Sequence, residues 1–231
     1  MVDRQDETHD YVAANEVYFD AEVLHGDDRP NKVQLARRVV HGIRKTYPEL
    51  LDEDNTEVMD FACGTGILSR ELCLYVRSIV GVDISQNAID VYNRRVDQQG
   101  IPREEMRAIR TRLTGADGEL GDAKFDIIVC AASYHHFPDI NETTHVLSKF
   151  LKPGGSLLIA DILKESVSED SSPPLLDQYR HIVVHPDGFT EDEMRATIEH
   201  ASLKNFDFNV VAKAILHGRD VKFFLARGVK S

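Results

Sequence analysis

The chain has too few cysteines to be held together by disulfides. Cys63, Cys73 and Cys130 are its three, and no CxxC pair occurs, so a reducing compartment, the cytoplasm, is the expected setting. Positive charge is also scarce. The 27 Lys and Arg are outnumbered by 39 Asp and Glu, a formal net charge of −12, which argues against nucleic acid as the main partner. The arginines that do cluster, Arg94-Arg95 and Arg107, Arg110 and Arg112, read as solvated faces. No stretch approaches the roughly 18 apolar residues of a membrane span. The opening "MVDRQDETHDYVAANE" is polar and acidic, without the apolar centre of a signal peptide or the basic character of a transit peptide.

The 231 residues suffice for one sizeable domain, or one domain with a cap. Apolar runs alternate with helical patterns, which predicts an α/β fold around a mainly parallel sheet. Strands are expected at "EVMDFA", "SIVGVDI", "EMRAIRT", "KFDIIVCA" and "SLLIADIL". Helices are expected from about Gly66 through "ILSRELCLYV", then over "QNAIDVYNRRVDQQ", capped by Ser85, and over "INETTHVLSKFL", stopped by "KPGG". "VYFDAEVL" and "NKVQLARRVVHGIRKTY" read as N-terminal helices. Thr190 with Glu193 makes a capping box for "EDEMRATIEHA". "FDFNVVAKAIL" and "VKFFLARGV", joined by "HGRD", read as an antiparallel hairpin. The looser stretch 164–189 is expected to cover a site, with a short helix in "LLDQYRHIVV".

The informative segment is "VMDFACGTGILS", in which Asp60 ends a strand and Gly64-Thr65-Gly66 follow. A glycine bend there permits close backbone approach to a ligand. It is not G-x-G-x-x-G, because Ser69 occupies the last slot. Asp60 would repel a pyrophosphate and attract a cation. Asp83, ending the second strand in "GVDIS", can accept hydrogen bonds from both hydroxyls of a ribose. A nucleoside with a positive group and no phosphates fits these demands, and S-adenosylmethionine is such a molecule.

With "VMDFACGTGILS", "VGVDIS", "FDIIVCAASYHHFPD" and "LKPGGSLLIADIL" in this order, the chain resembles the class I S-adenosylmethionine-dependent methyltransferases, particularly their small-molecule, UbiE-like branch. The resemblance spans about residues 56 to 228. It implies a Rossmann-like, seven-stranded, mostly parallel sheet with an antiparallel C-terminal hairpin and helices on both faces. The whole chain, 1–231, would be one methyltransferase domain, with 1–55 as a helical lid and entry and 164–189 as a substrate cap. It further implies that Asp60, Ala62, Gly64 and Gly66 hold the methionine end of the cofactor. Asp83 would hold the ribose, with Ile84 against the adenine. Arg112 and Leu113 would stand at the adenine end, where the acidic residue often found in the family is missing. Cys130 and Ala131 would border the sulfonium.

Other residues keep two readings. Thr65 either fills its turn or touches the ligand carboxylate. Cys63 reads as a buried filler. Tyr134, His135 and His136 follow the fourth strand and should stand at the rim of the cleft. The histidines either take a proton from the acceptor or hold the loop; without further ligands at suitable spacing they make no metal site. His185 faces the substrate or the solvent. Tyr18 and Phe19 form a lid or anchor their helix. The leading expectation is methyl transfer from S-adenosylmethionine to a small organic acceptor, leaving S-adenosylhomocysteine (SAH). The competing expectations are methylation of a protein side chain and a catalytically silent cofactor-binding partner. A nicotinamide enzyme is disfavoured by Asp60 and Ser69.

Overall fold

The computed structural model describes residues 9–23, 29–164 and 173–231. The parts of the expected lid and cap at 1–8, 24–28 and 165–172 lie outside the described residues. Five strands, β1 (Glu57–Phe61), β2 (Ser78–Asp83), β3 (Met106–Arg110), β4 (Phe125–Ala131) and β5 (Leu151–Ile162), run parallel. β7 (Arg219–Val229) adds to β5 antiparallel, and β6 (Lys204–Leu216) pairs with β7. The order β3-β2-β1-β4-β5-β7-β6 makes the seven-stranded mixed sheet that the sequence implies.

Alternation along each strand divides the core into two layers. In β4, Ile127 and Val129 face α2 (Pro30–Thr46), α3 (Ile67–Leu72) and α4 (Gln86–Gln98). Ile128 and Cys130 face the opposite layer, under α5 (Ile140–Lys149) and α6 (Glu191–His200). Near-continuous apolar strands are what a sheet covered on both faces requires. A third apolar cluster, including Ile162, Ile182, Val183 and Phe223, lies at the carboxyl end of β5.

The caps read from the sequence are in place. Ser85 Oγ accepts from Ala88 N at 3.1 Å to start α4. Thr190 and Glu193 exchange the two bonds of a capping box on α6. At the N-terminus α1 (Tyr11–Val23) begins earlier than its expected helix, because Asp10 accepts from Val12 N and Ala13 N at 3.1 Å each.

Four local expectations are corrected. The helix after the glycine loop lasts six residues and then tightens into a 3-10 turn at Cys73–Tyr75, since Leu74 faces solvent instead of extending the apolar stripe. "KPGG" does not stop α5, which ends at Lys149; it bulges from β5 between paired Leu151 and Ser156. "LLDQYRHIVV" holds only a 3-10 turn at Asp177–Tyr179, and its Ile182 and Val183 are buried as cover on the third cluster. The terminal hairpin is tighter than "HGRD" suggests. His217 (φ 50°) and Gly218 (φ 76°) alone make the turn, the backbone pattern of a two-residue hairpin loop.

Candidate functional site

A cavity of about 210 Å³ opens at the carboxyl ends of β1 and β4, where ligands bind in open α/β sheets. Its floor is the loop that leaves β1, with Asp60, Ala62, Gly64 and Thr65. Ala131, Ala132 and Ala160 close one side, and Lys32, Leu35, Ala36 and Val39 of α2 close another. Ala62 (φ 56°) and Ala132 (φ 53°) both hold left-handed backbone, a conformation that costs an L-residue roughly 1–2 kcal/mol. Two such residues at the tips of neighbouring strands, both facing the cavity, place stored strain at the site.

Asp60 is 2% exposed, and its Oδ2 accepts from Ser69 Oγ at 2.5 Å. Burial lifts its carboxyl to about 7, and the nearby charge of Asp83 adds to the lift against the Ser69 bond. Asp83 is tied differently. Its Oδ2 accepts from Gly64 N at 2.8 Å and its Oδ1 from Ser85 N at 2.9 Å. Burial still raises it, with those amides opposing. The Gly64 bond links the glycine loop to the tip of β2, so the two carboxylates frame one bend.

The other rim is built by β4, β5 and the turn after β4. His135 Nδ1 donates to Asp161 Oδ1 at 2.8 Å, and His135 N reaches Asp161 Oδ2 at 3.3 Å. Ile162 N donates to the same Oδ1 at 2.7 Å. Burial opposes ionisation of Asp161, yet the His135 ring and these donors outweigh it and hold the carboxyl below its ordinary value. An ionised Asp161 accepts from Nδ1 and so orients the ring, with Nε2 as its other nitrogen. His136 Nδ1 donates to Ile182 O at 2.8 Å, and burial with the adjacent His135 lowers its pKa to about 3, so that ring stays neutral.

α1 packs against the turn after β4 and against Ile182. Asn15 Nδ2 donates to Ile182 O at 2.9 Å, and the Phe19 ring meets His136 edge-on at 5.2 Å between centroids. At its far end Asp20 Oδ1 accepts from Ser85 Oγ and Asn87 N. Glu16 pairs with Arg110, whose Nε donates to Ile84 O at 2.9 Å. Tyr18 packs edge-on against His181 and belongs to the border of the third cluster.

The structure therefore gathers Asp60, Ala62, Gly64, Thr65 and Ala131 around the cavity, with Asp83 and Ile84 beside it at the tip of β2. Several sequence expectations need correction. Tyr134 is fully buried and its hydroxyl is paired with Thr144 Oγ1 at 3.1 Å, so it anchors α5 and does not stand at the rim. Cys130 points into the α5–α6 layer, away from the cavity, as strand alternation demands. Gly66 does not line the cavity; a Cβ there would lie 2.5 Å from the Tyr92 ring, so its role is close packing on α4. Thr65 Oγ1 accepts from Arg95 Nη1 at 2.9 Å. Arg112 is exposed and Leu113 packs on the α5–α6 layer; Arg110 is the arginine beside Ile84. His185 Nε2 is 3.2 Å from Phe137 O, which ties it to the turn after β4. Sequence reasoning missed Lys32, Arg110, Ala132 and Asp161. Asp161 carried the same signal as Asp60, a carboxylate inside an apolar strand.

The donor set suits a sulfonium nucleoside. The cavity joins apolar walls to a buried carboxyl, and the adjoining strand tip carries a second one with lone pairs left for hydroxyls. Among the described residues no three His, Cys, Asp or Glu side chains could hold a metal ion, and no helix is long and apolar enough to cross a membrane.

Known proteins agree with this geometry. The methyltransferase domain family matches residues 34–212. An uncharacterised methyltransferase of Schizosaccharomyces pombe is 38% identical over 161 residues, covering 68% of this chain and 56% of that protein. A ubiquinone biosynthesis O-methyltransferase of Leptothrix cholodnii is 28% identical over 109 residues, covering 47% and 45%. The chain thus spans about half the length of these two relatives. Among solved structures, the magnesium protoporphyrin IX methyltransferase of Synechocystis PCC 6803 with bound SAH superposes with a TM-score of 0.68 at 14% identity, covering 96% of this chain and 100% of that one. An S-adenosylmethionine-dependent methyltransferase of Aquifex aeolicus gives a TM-score of 0.60 at 17% identity, covering 96% and 99%. Fold, cavity chemistry and family match converge: the chain belongs to the methyltransferase domain family, among the class I S-adenosylmethionine-dependent methyltransferases.

Proposed function

We propose that this protein transfers a methyl group from S-adenosylmethionine to a small organic acceptor that gives up a proton. The observation that carries the reading is the buried Asp60 carboxyl on the floor of a cavity at the carboxyl ends of β1 and β4. That carboxyl disfavours phosphate and favours a cation. Asp60, Ala62 and Gly64 would hold the amino-acid end of the cofactor, and Asp83 with Ile84 the ribose and adenine. When bound, the cofactor supplies a methyl already activated by its positive sulfur.

The protein's work is then alignment, exclusion of water and removal of the acceptor proton. His135 is the proposed base. Its Nε2 takes the proton while Asp161 holds Nδ1–H and stabilises the imidazolium that forms. His136, neutral and bonded to Ile182 O, shapes the wall beside it. α1 and the stretch 173–185 pack around His136, through Asn15, Phe19 and Ile182. A small acceptor is supported by the similarity to enzymes named for ubiquinone biosynthesis and magnesium protoporphyrin IX. The three free thiols suit a reducing, cytoplasmic setting.

The test is to add purified protein and labelled cofactor to a cell extract. Label in the low-mass fraction, with compounds heavier by about 14 mass units, the difference between a methyl and a hydrogen, supports the proposal. Label confined to protein bands would replace it with side-chain methylation. SAH binding with no transfer at all would leave a silent binding partner.

A further inference from the structure

A surface helix ordinarily packs by an apolar stripe, yet the one residue that α1 buries is an amide, Asn15, which is 6% exposed. Its Nδ2 donates to Tyr11 O at 2.7 Å and to Ile182 O at 2.9 Å. Only the amino group can meet two carbonyls, so these bonds fix which way round the amide stands. Oδ1 is then buried with no hydrogen-bond partner among the described residues. A buried acceptor without a donor is costly. Holding α1 in place does not require it. Ile182 O also accepts from His136 Nδ1 at 2.8 Å, and Tyr11 O lies within the helix ladder of α1. Leucine, of similar shape, would leave neither carbonyl bare.

The surroundings of Asn15 indicate which donor is missing. Asn15 and His136 share the Ile182 carbonyl, and the His136 ring lies 4.3 Å from the His135 ring, centroid to centroid. Tyr11, Tyr18 and Phe19, the i−4, i+3 and i+4 neighbours of Asn15 on α1, are all aromatic. Ala14 and Tyr18 border the third apolar cluster, as do Leu35 and Ala132, which line the cavity. A lone acceptor thus stands among rings, one carbonyl away from the histidine pair. We propose that Asn15 determines specificity for the methyl acceptor: its Oδ1 accepts a hydrogen bond from a second hydroxyl or N–H of that molecule, near the group that gives its proton to His135. The acceptor class is a flat ring compound with two donors, one methylated and one kept. Oδ1 is closed off in this structure, so the guest parts α1 from the turn after β4 to reach it. This inference rests on the small-acceptor reading given above.

Two measurements test it. In the first, the full chain and S-adenosylmethionine are added to a cell extract, and the low-mass products heavier by about 14 mass units are weighed again in heavy water. Each product should keep at least one exchangeable O–H or N–H hydrogen; a product with none would overturn the proposal. In the second, Asn15→Leu should raise KM and lower kcat/KM for the purified acceptor about tenfold or more, the worth of a hydrogen bond whose donor is left buried. SAH affinity by calorimetric titration should stay within about twofold. The melting temperature of the ligand-free variant should stay within about 3 °C of wild type or rise, because an orphaned acceptor has gone. An analogue of the acceptor without its second donor should be methylated alike by wild type and variant. Unchanged kcat/KM in Asn15→Leu would overturn the assignment. So would a loss shared with SAH binding or joined to a larger drop in melting temperature, since the amide would then be holding α1. A wild-type protein that labels nothing of low mass would instead remove the small-acceptor reading itself.

Discussion

Two aspartates stand near the carboxyl ends of β1 and β5, on either side of β4 in one sheet, and they behave in opposite ways. Asp60, at the tip of β1, and Asp161, near the end of β5, are both buried. Burial alone would drive both towards the neutral form. Asp60 receives one hydroxyl and senses Asp83, and it rises to about 7. Asp161 receives an imidazole and two backbone amides, and it falls below its ordinary value. Partners, and not depth, decide the charge. Asp60 is left short of a positive neighbour, which a cationic ligand can supply. Asp161 already has its donors in the His135 ring and two backbone amides, so its charge serves to orient a ring.

The comparison is broken most severely at Asp161. Asp161→Asn should lower methyl transfer to extract acceptors by about a hundredfold or more, the range of lost general-base help. SAH affinity should change less than about threefold by the same titration. Asp161→Glu, which keeps the charge, should recover part of the turnover; a merely structural contact would give no such split between transfer and binding. Asp60→Asn should do the reverse and weaken SAH about tenfold.

Stability against pH sharpens the contrast, because the signs differ. Asp60 binds its proton more tightly folded than unfolded, so its contribution falls as pH rises from about 4 to about 7. Moving from 3.8 to about 7 corresponds to about 4 kcal/mol at full ionisation. Asp60→Asn should therefore raise thermal stability of the ligand-free protein at pH 8 and leave it little changed at pH 4. Asp161 acts in the other direction. Its stabilisation is present above the unfolded carboxyl value and is lost as pH drops through its lower folded value. Asp161→Asn should flatten the acid side of the unfolding curve.

A smaller effect concerns binding. If SAH needs Asp60 ionised, its affinity should climb with pH from about 6 and level off above about 8, with proton release measurable in buffers of different ionisation heat. A flat profile would show that Asp60 does not face the ligand's positive end. The smallest expected change is at Ala132. Ala132→Gly removes the left-handed penalty and should stabilise the protein by up to about 1 kcal/mol in a denaturant titration.

The floor of the site was legible because it is written in one continuous stretch. A strand, a carboxylate and a glycine bend within Val58–Ser69 specify their own geometry, and Asp83 closes it from the next strand. The packing of α1 was not legible, since it is assembled from positions far apart. Asn15 meets Ile182 across 167 residues, and Asp20 meets Ser85 across 65. No local period encodes such meetings. The misplacement of Arg112 came from extending the third strand by two residues, when β3 ends at Arg110. Tyr134 is harder to read because it lies in the turn after β4, where strand alternation no longer fixes which way a side chain faces.

Asp20 belongs to α1, yet it behaves as part of α4. By accepting from Ser85 Oγ and Asn87 N, it doubles the cap on a helix 65 residues away. α1 and α4 are thus fastened through Asp20, at the Ser85 hydroxyl and at the backbone and side-chain amides of Asn87. Were α1 to lift from α4, the Asn87 amide would lose its acceptor and meet water. Hydrogen–deuterium exchange at that position therefore measures how often this contact opens.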